Sequence, residues 1–113
     1  MTEDDVRALA LSLPRVEEAL AYGKPAFKAF GKFLTRVRKE DDSLVLICTF
    51  DEREMLMEAE PQTFHITPHY LNYPSVLARL ESVDPGTVRN FLERRWRQVA
   101  PKAFLKTHDA ESA

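Results

Sequence analysis

Residues Tyr22–Lys39, YGKPAFKAFGKFLTRVRK, carry six Lys or Arg residues and no acid. The stretch reads as a β-hairpin. Ala26–Phe30 and Phe33–Arg38 are strand-like runs on either side of Gly31-Lys32, and Gly31 suits the first central position of a two-residue type II′ turn, which needs positive φ there. That turn would set Phe30 opposite Phe33, Lys28 opposite Thr35 and Phe27 opposite Arg36. Side chains alternate faces along a strand, so Lys28 is expected beside Phe30, Phe33 and Val37, and Arg36 and Arg38 beside Phe27 and Leu34. Lys24, Lys32 and Lys39 fall at or near turns.

Outward from the hairpin, helices and strands segregate. Val6, Leu9, Ala10 and Leu13 fall on one face at helical spacing, predicting a first helix from Glu3 to Ser12. Thr2 and Asp5 form a capping pair for it, and Pro14 stops it. Residues 16–22 alternate weakly and lead to Gly23-Lys24-Pro25, a turn signal. Leu44–Thr49 is a continuous apolar strand. Asp51 and Glu54 mark the start of a second helix, which ends at Pro61. Thr63–Thr67 and Val76–Leu80 are strand-like. Asp84 caps a long helix with Pro85 at its first position, and Val88, Phe91, Leu92, Trp96 and Val99 form its apolar stripe. The tail after Pro101 is expected to fray. Helices set apart from a mostly antiparallel sheet make an α+β domain with the helices on one side. The expected organisation is one domain over residues 1–106 and a flexible tail over 107–113.

The chain has 113 residues and a net charge of -2, with 44% hydrophobic and 30% charged residues, a composition that can bury a core without disulfides or metal. No apolar run approaches the ~20 residues of a membrane span. The acidic start, MTEDDVRALA, is unlike a signal peptide, and the single cysteine, Cys48, fits a reducing compartment. A cytoplasmic location is the expectation. Charge is uneven: residues 40–60 hold eight acids and one Arg, and residues 85–106 hold six bases against Glu93 alone. An overall acidic protein does not coat nucleic acid indiscriminately, but a small directed basic surface is compatible with it.

Side chains that carry chemistry are sparse. Lys24, Lys28, Lys32, Arg36, Arg38 and Lys39 are candidates for contact with phosphates or with an acidic partner; their plainer role is to keep the sheet soluble and blunt an edge strand. Arg95 falls on the apolar stripe of the last long helix. Its head either escapes to an edge, meets a carboxylate such as Glu81 or Glu17, or serves as an anion-binding Arg in a pocket. The loop from Pro68 to Pro74 gathers His69, Tyr70, Asn72 and Tyr73, groups that stack and hydrogen-bond with a ligand or partner, or plug the end of the sheet. His65 and His69 are separated by Pro68, which removes helical metal spacing, so neither metal nor cofactor is expected. Cys48 ends an apolar strand and reads as a buried, inert thiol.

The ordered fragments ALSLPRVEEALAYGKPAFKAFGKFLTRV, SLVLICTFDEREMLMEAEPQTFHITPHY and VRNFLERRWRQVAPK resemble the bacterial YjbR/MmcQ-like family of small proteins, with the LSLP…GKPAF…GK spacing as the specific part. The resemblance implies a CyaY-like α+β fold and a DNA-binding assignment of double-wing type; it brings no catalytic residues. The leading expectation is therefore a non-enzymatic DNA-binding protein using the basic hairpin and the adjoining loop. The alternative is a protein-interaction or dimerising domain acting through its sheet surface, the apolar strand 44–49 and neighbouring aromatics, with a second copy as partner, or an acidic protein where the basic residues are met. A small-ligand or anion pocket near Arg95 is the third reading.

Overall fold

The hairpin forms, but it turns one residue earlier than the spacing predicts. In the computed structural model, which describes residues 1–112, β2 (Lys24–Ala29) and β3 (Lys32–Thr35) pair antiparallel with Ala29 opposite Lys32 and Lys28 opposite Phe33. The turn residues are Phe30 (φ 53°) and Gly31 (φ 76°), both left-handed, as a type I′ hairpin requires. The strain of a left-handed Phe is offset by its ring, which packs 6.0 Å from Trp96 and 5.0 Å from Phe104 between centroids. A bulge between Phe27 and Lys28 then places Phe27 opposite Thr35, not Arg36.

A second turn of the same kind precedes it. Tyr22 (φ 53°) and Gly23 (φ 77°) join β1 (Val16–Ala21) to β2, with Ala21 opposite Lys24. Lys24 and Pro25, expected in the turn, are the first strand residues instead. The weak alternation of residues 16–22 is thus a full edge strand, and β1-β2-β3 form a three-stranded antiparallel sheet.

The remaining strands are β4 (Val37–Arg38), β5 (Ser43–Ile47), β6 (Phe64–His65) and β7 (Ser75–Arg79), in the antiparallel order β4-β5-β7-β6. The two sheets meet at Arg36, where the strand breaks. Its carbonyl accepts the Val45 amide at 3.0 Å, and the neighbouring Thr35 hydroxyl, fully buried, donates to Val45 O at 2.6 Å.

Local capping sets the helices. α1 (Glu3–Leu11) begins with the reciprocal Thr2–Asp5 box: Asp5 N donates to Thr2 Oγ1 at 3.1 Å and Thr2 N to Asp5 Oδ2 at 2.9 Å. α2 (Phe50–Ala59) is capped by Thr49, whose hydroxyl accepts from Glu52 N at 3.1 Å; Asp51, the expected cap, already lies inside the helix. α3 (Pro85–Val99) starts at Asp84, which accepts from Thr87 N at 3.0 Å. α4 (Lys102–Ser112) replaces the expected fraying after Pro101. Its Phe104 and His108 rings lie 5.9 and 5.1 Å from Trp96, and Asp109 pairs with Arg97 at 2.9 Å. Ala113, the last residue of that expected tail, lies outside the described residues.

The core joins α1 and α3 to one face of the sheets. Val6 and Ala10 of α1 and Val88, Phe91, Leu92 and Trp96 of α3 pack with Leu34, Leu44, Leu46, Val76 and Ala78. Each large side chain buried this way contributes on the order of 1.5–3 kcal/mol. Val99 packs at the edge of the same cluster, so the stripe read from the sequence is the buried one. No described helix is long and apolar enough to cross a membrane.

A cationic cleft walled by tyrosines

The opposite sheet face carries Val45, Ile47 and Ser75, and the segment from Thr67 to Pro74 closes over it. Arg53 holds that segment in place. It is 4% exposed, and its guanidinium donates from Nη1 to Tyr70 O (3.1 Å), Tyr73 O (3.0 Å) and Ser75 O (3.4 Å) and from Nη2 to Leu71 O (3.0 Å). A planar fork with fixed donors suits such a cluster of carbonyls, and Lys would not reproduce it. Phe50 packs against the same guanidinium, 4.8 Å from its ring centroid. Arg53 is the one base among the acids of residues 40–60; that isolation is its only sequence signal.

The result is a cleft of about 610 Å³. Lys24, Arg36 and Arg38 from the hairpin region, His69, Tyr70 and Tyr73 from the loop, and Arg95 from α3 all line it. Three features that the sequence separates therefore share one concavity. The rings form one wall: His69 lies 5.1 Å from Tyr70 and 5.9 Å from Tyr73, and Tyr70 and Tyr73 are 6.4 Å apart. Arg38 sits over Tyr70 at 5.1 Å.

The other sequence candidates fall elsewhere. Lys28 is half-buried on β2 opposite Glu17, and Lys32 is exposed at the start of β3. Lys39 is exposed and 4.0 Å from Glu3, and Asn72 is exposed in the loop but not on the cleft wall. The expected face assignment is corrected as well. Phe33 lines the cleft with Arg36 and Arg38, whereas Leu34 and Phe27 enter the core, because the break at Arg36 interrupts strict alternation.

Charges on the cleft are unevenly compensated. Glu40 approaches Arg38 Nε at 3.3 Å and Arg36 Nη2 at 3.8 Å. Its carboxyl is held below the usual value, chiefly by its own backbone amide, then by the Arg38 hydrogen bond and the positive charges of Lys24 and Arg36. Arg95 donates from Nε to Phe33 O at 2.9 Å; neither Glu81 nor Glu17 meets it, and no carboxylate pairs with it among the described residues. Burial lowers its pKa from the ordinary arginine value.

Two other constellations invite a catalytic reading. Asp41 Oδ2 (3.1 Å) and Ser43 Oγ (3.5 Å) both approach His65 at the same nitrogen, Nε2, so the three do not form a relay in which the acid orients one ring nitrogen and the hydroxyl meets the other. Cys48 is buried, which pushes its thiol up to about 11, away from the thiolate a nucleophile needs.

These elements define a small α+β protein with a cationic, aromatic-walled cleft. The chain belongs to the YjbR family, whose model matches residues 11–98. It is also similar to uncharacterized proteins of Mycobacterium bovis and Mycobacterium tuberculosis, 29% identical over a 126-residue alignment that covers 98% of this chain and 98% of each relative. No solved structure matches the chain.

Proposed function

We propose that the chain is a non-enzymatic DNA-binding protein whose cleft receives unpaired nucleotides. One observation carries the reading: the hairpin cations Lys24, Arg36 and Arg38 line the same cleft as His69, Tyr70 and Tyr73. Cations beside stackable rings are the combination that engages single strands, with bases on the rings and phosphates on the bases of the protein. A duplex would be better served by cations spread over a protruding surface. Here Lys28, Lys32 and Lys39 do not join the other three, which favours an unpaired strand over the double-wing contact that the family resemblance implies. A cytoplasmic location belongs to the same proposal, in keeping with Cys48 as a free, buried thiol.

Fluorescence anisotropy with a labelled single strand and the matching duplex tests this. Micromolar protein should bind the single strand more tightly. Three phosphates neutralised would give a log–log salt slope of about −2, from about −0.7 per phosphate. Absence of binding to either form at low salt sinks the proposal.

A protein partner is the second reading, and its surface shifts from the one expected. Leu44 and Leu46 enter the core and β5 is paired on both edges, so the face that strand 44–49 offers a partner is confined to Val45 and the half-buried Ile47 on the cleft. The exposed large apolar groups include Leu20 (64% exposed) and Tyr22 (fully exposed), neighbours on the edge strand β1 and its turn, besides Leu11, Phe50, Met55, Leu71 and Tyr73 elsewhere. A second copy of the chain would dock at Leu20 and Tyr22; an acidic protein would meet the cations of the cleft instead, since β1 carries the exposed Glu17 and Glu18. Light scattering over a concentration series distinguishes self-association from a monomer.

A further inference from the structure

The cations of the cleft are not equivalent. Arg36 and Arg38 both lean on Glu40, at 3.8 and 3.3 Å, and Arg38 Nη1 lies a further 3.8 Å from Asp41. The protein itself part-neutralises these two. Arg95 has no such counterion among the described residues. Its hydrogen bond runs from the inner nitrogen Nε to Phe33 O, which orients the guanidinium plane and leaves both terminal nitrogens for another acceptor. Burial without a counterion disfavours the cation, and an anion bound there would offset that cost.

A second, independent shortage lies on the same cleft. Ser75 is 2% exposed, lines the cleft, and its Oγ has no hydrogen-bond partner among the described residues. Buried hydroxyls are normally satisfied, and an orphan one marks a place where an external acceptor is missing. Once the Ser75 side chain turns from its enclosed position into the cleft, its hydroxyl adds a third donor to the two terminal nitrogens of Arg95. An internal phosphodiester has two free oxygens, whereas a terminal phosphomonoester has three and a greater charge. The cleft, at about 610 Å³, falls within the range of small-molecule sites and suits one nucleotide better than a run of them.

We infer that the cleft is a site for a terminal phosphomonoester joined to a planar base, with the phosphate on Arg95 and Ser75 and the base against Tyr70 and Tyr73. The inference rests on the nucleic-acid reading above and narrows it from a strand to a strand's end. A free mononucleotide has the same chemistry, so the experiment separates the two sources.

The test titrates the full chain with three labelled deoxyhexanucleotides: one with a 5′-phosphate, one with a 3′-phosphate and one with hydroxyls at both ends. Deoxyadenosine monophosphate is titrated alongside by calorimetry. The expected result is at least tenfold tighter binding of one phosphorylated end than of the hydroxyl-ended strand. Arg95→Gln should abolish that advantage, Ser75→Ala should reduce it, and Arg95→Lys should recover only part of it; circular dichroism checks that each variant is folded, and Ser75→Ala serves if Arg95→Gln does not fold. Equal binding of all three strands overturns the inference and leaves the nucleic-acid proposal standing. Binding of the mononucleotide without any oligonucleotide retains the phosphate site and overturns the strand reading. Binding of none overturns both.

Discussion

The guanidinium of Arg38 lies 5.1 Å from the ring centroid of Tyr70, while its Nε donates to Glu40 at 3.3 Å. This contact links the β-sheet to the Thr67–Pro74 segment and fixes one wall of the cleft. Such a pair contributes about 0.5–2 kcal/mol, depending on desolvation. Its larger consequence is positional, because it holds a ring face at the cleft beside a cation.

Removing that ring should weaken binding more than it weakens the fold. Tyr70→Leu should raise the dissociation constant for a single strand by roughly 5- to 150-fold, from about 1–3 kcal/mol per stacked base. Tyr70→Phe should bind nearly as the parent does. Anisotropy titrations of both variants, with thermal melts as folding controls, decide the matter; equal losses in the two would implicate the hydroxyl and not stacking.

Arg53 should matter most to stability. Arg53→Met removes a donor from four carbonyls of residues 70–75. Tyr70 O and Tyr73 O keep the Tyr73 and Ser75 amides at 3.1 and 2.8 Å, so the loss falls chiefly on Leu71 O and Ser75 O. Each unsatisfied buried acceptor costs about 1–3 kcal/mol before local relaxation. Because part of this segment can turn to water, a net loss of about 2–4 kcal/mol is expected in urea unfolding. Arg53→Lys should recover only a fraction, having no planar fork.

What the sequence disclosed was mostly local. The Thr2–Asp5 box, the Asp84–Pro85 helix start and the α3 stripe each depend on residues within a turn or two, and all three are present. β1 was less legible because Glu17 and Glu18 sit within a strand that has an exposed edge and only partly buried faces. The hairpin turn shifted because a Phe took a left-handed conformation, which nothing nearby in sequence explains; the Trp96 and Phe104 rings beside it come from α3 and α4. Arg53 and the convergence of Arg95 with Tyr70 required the assembled fold. Those contacts join residues distant in the chain, and no local pattern encodes them.

The turn itself can be tested. Gly31 has φ 76° with no atom within 4 Å of the position a Cβ would take. Gly31→Ala should therefore cost about 1 kcal/mol from backbone strain alone. Gly31→Asn should cost less, since Asn tolerates the left-handed region. Had the turn been centred on Gly31-Lys32, Lys32→Gly would be close to neutral; with Lys32 in β3, that change should destabilise, and chemical denaturation of the two variants reads the difference.

Cys48 gives a pH prediction with a definite sign. Burial raises its folded pKa from 9.0 to about 11. The folded state therefore retains the thiol proton where the unfolded chain has lost it. The contribution is complete below about pH 9 and is lost as pH rises toward about 11. Stability should fall across that interval more steeply in the parent than in Cys48→Ala, and urea unfolding of both at matched pH isolates this group from the lysines and tyrosines that titrate nearby. The same burial should make the folded thiol slow toward disulfide reagents at neutral pH.

Arg95 should behave in the opposite way to Arg53. An arginine kept for structure is satisfied by the protein, and its removal destabilises. Arg95 makes one hydrogen bond, to Phe33 O at 2.9 Å, and is desolvated without a counterion. Arg95→Met keeps a long apolar stem beside Phe33 and removes a partly buried charge, so the lost hydrogen bond of about 1 kcal/mol is offset in part by relief of desolvation. Thermal unfolding should show a midpoint within a few degrees of the parent's. Adding deoxyadenosine monophosphate should raise the parent's midpoint and leave the variant's unchanged, because only a ligand bound to the folded state stabilises it. A large loss of stability in Arg95→Met, with the nucleotide effect intact, would show that this arginine serves the α3–sheet packing and not a ligand.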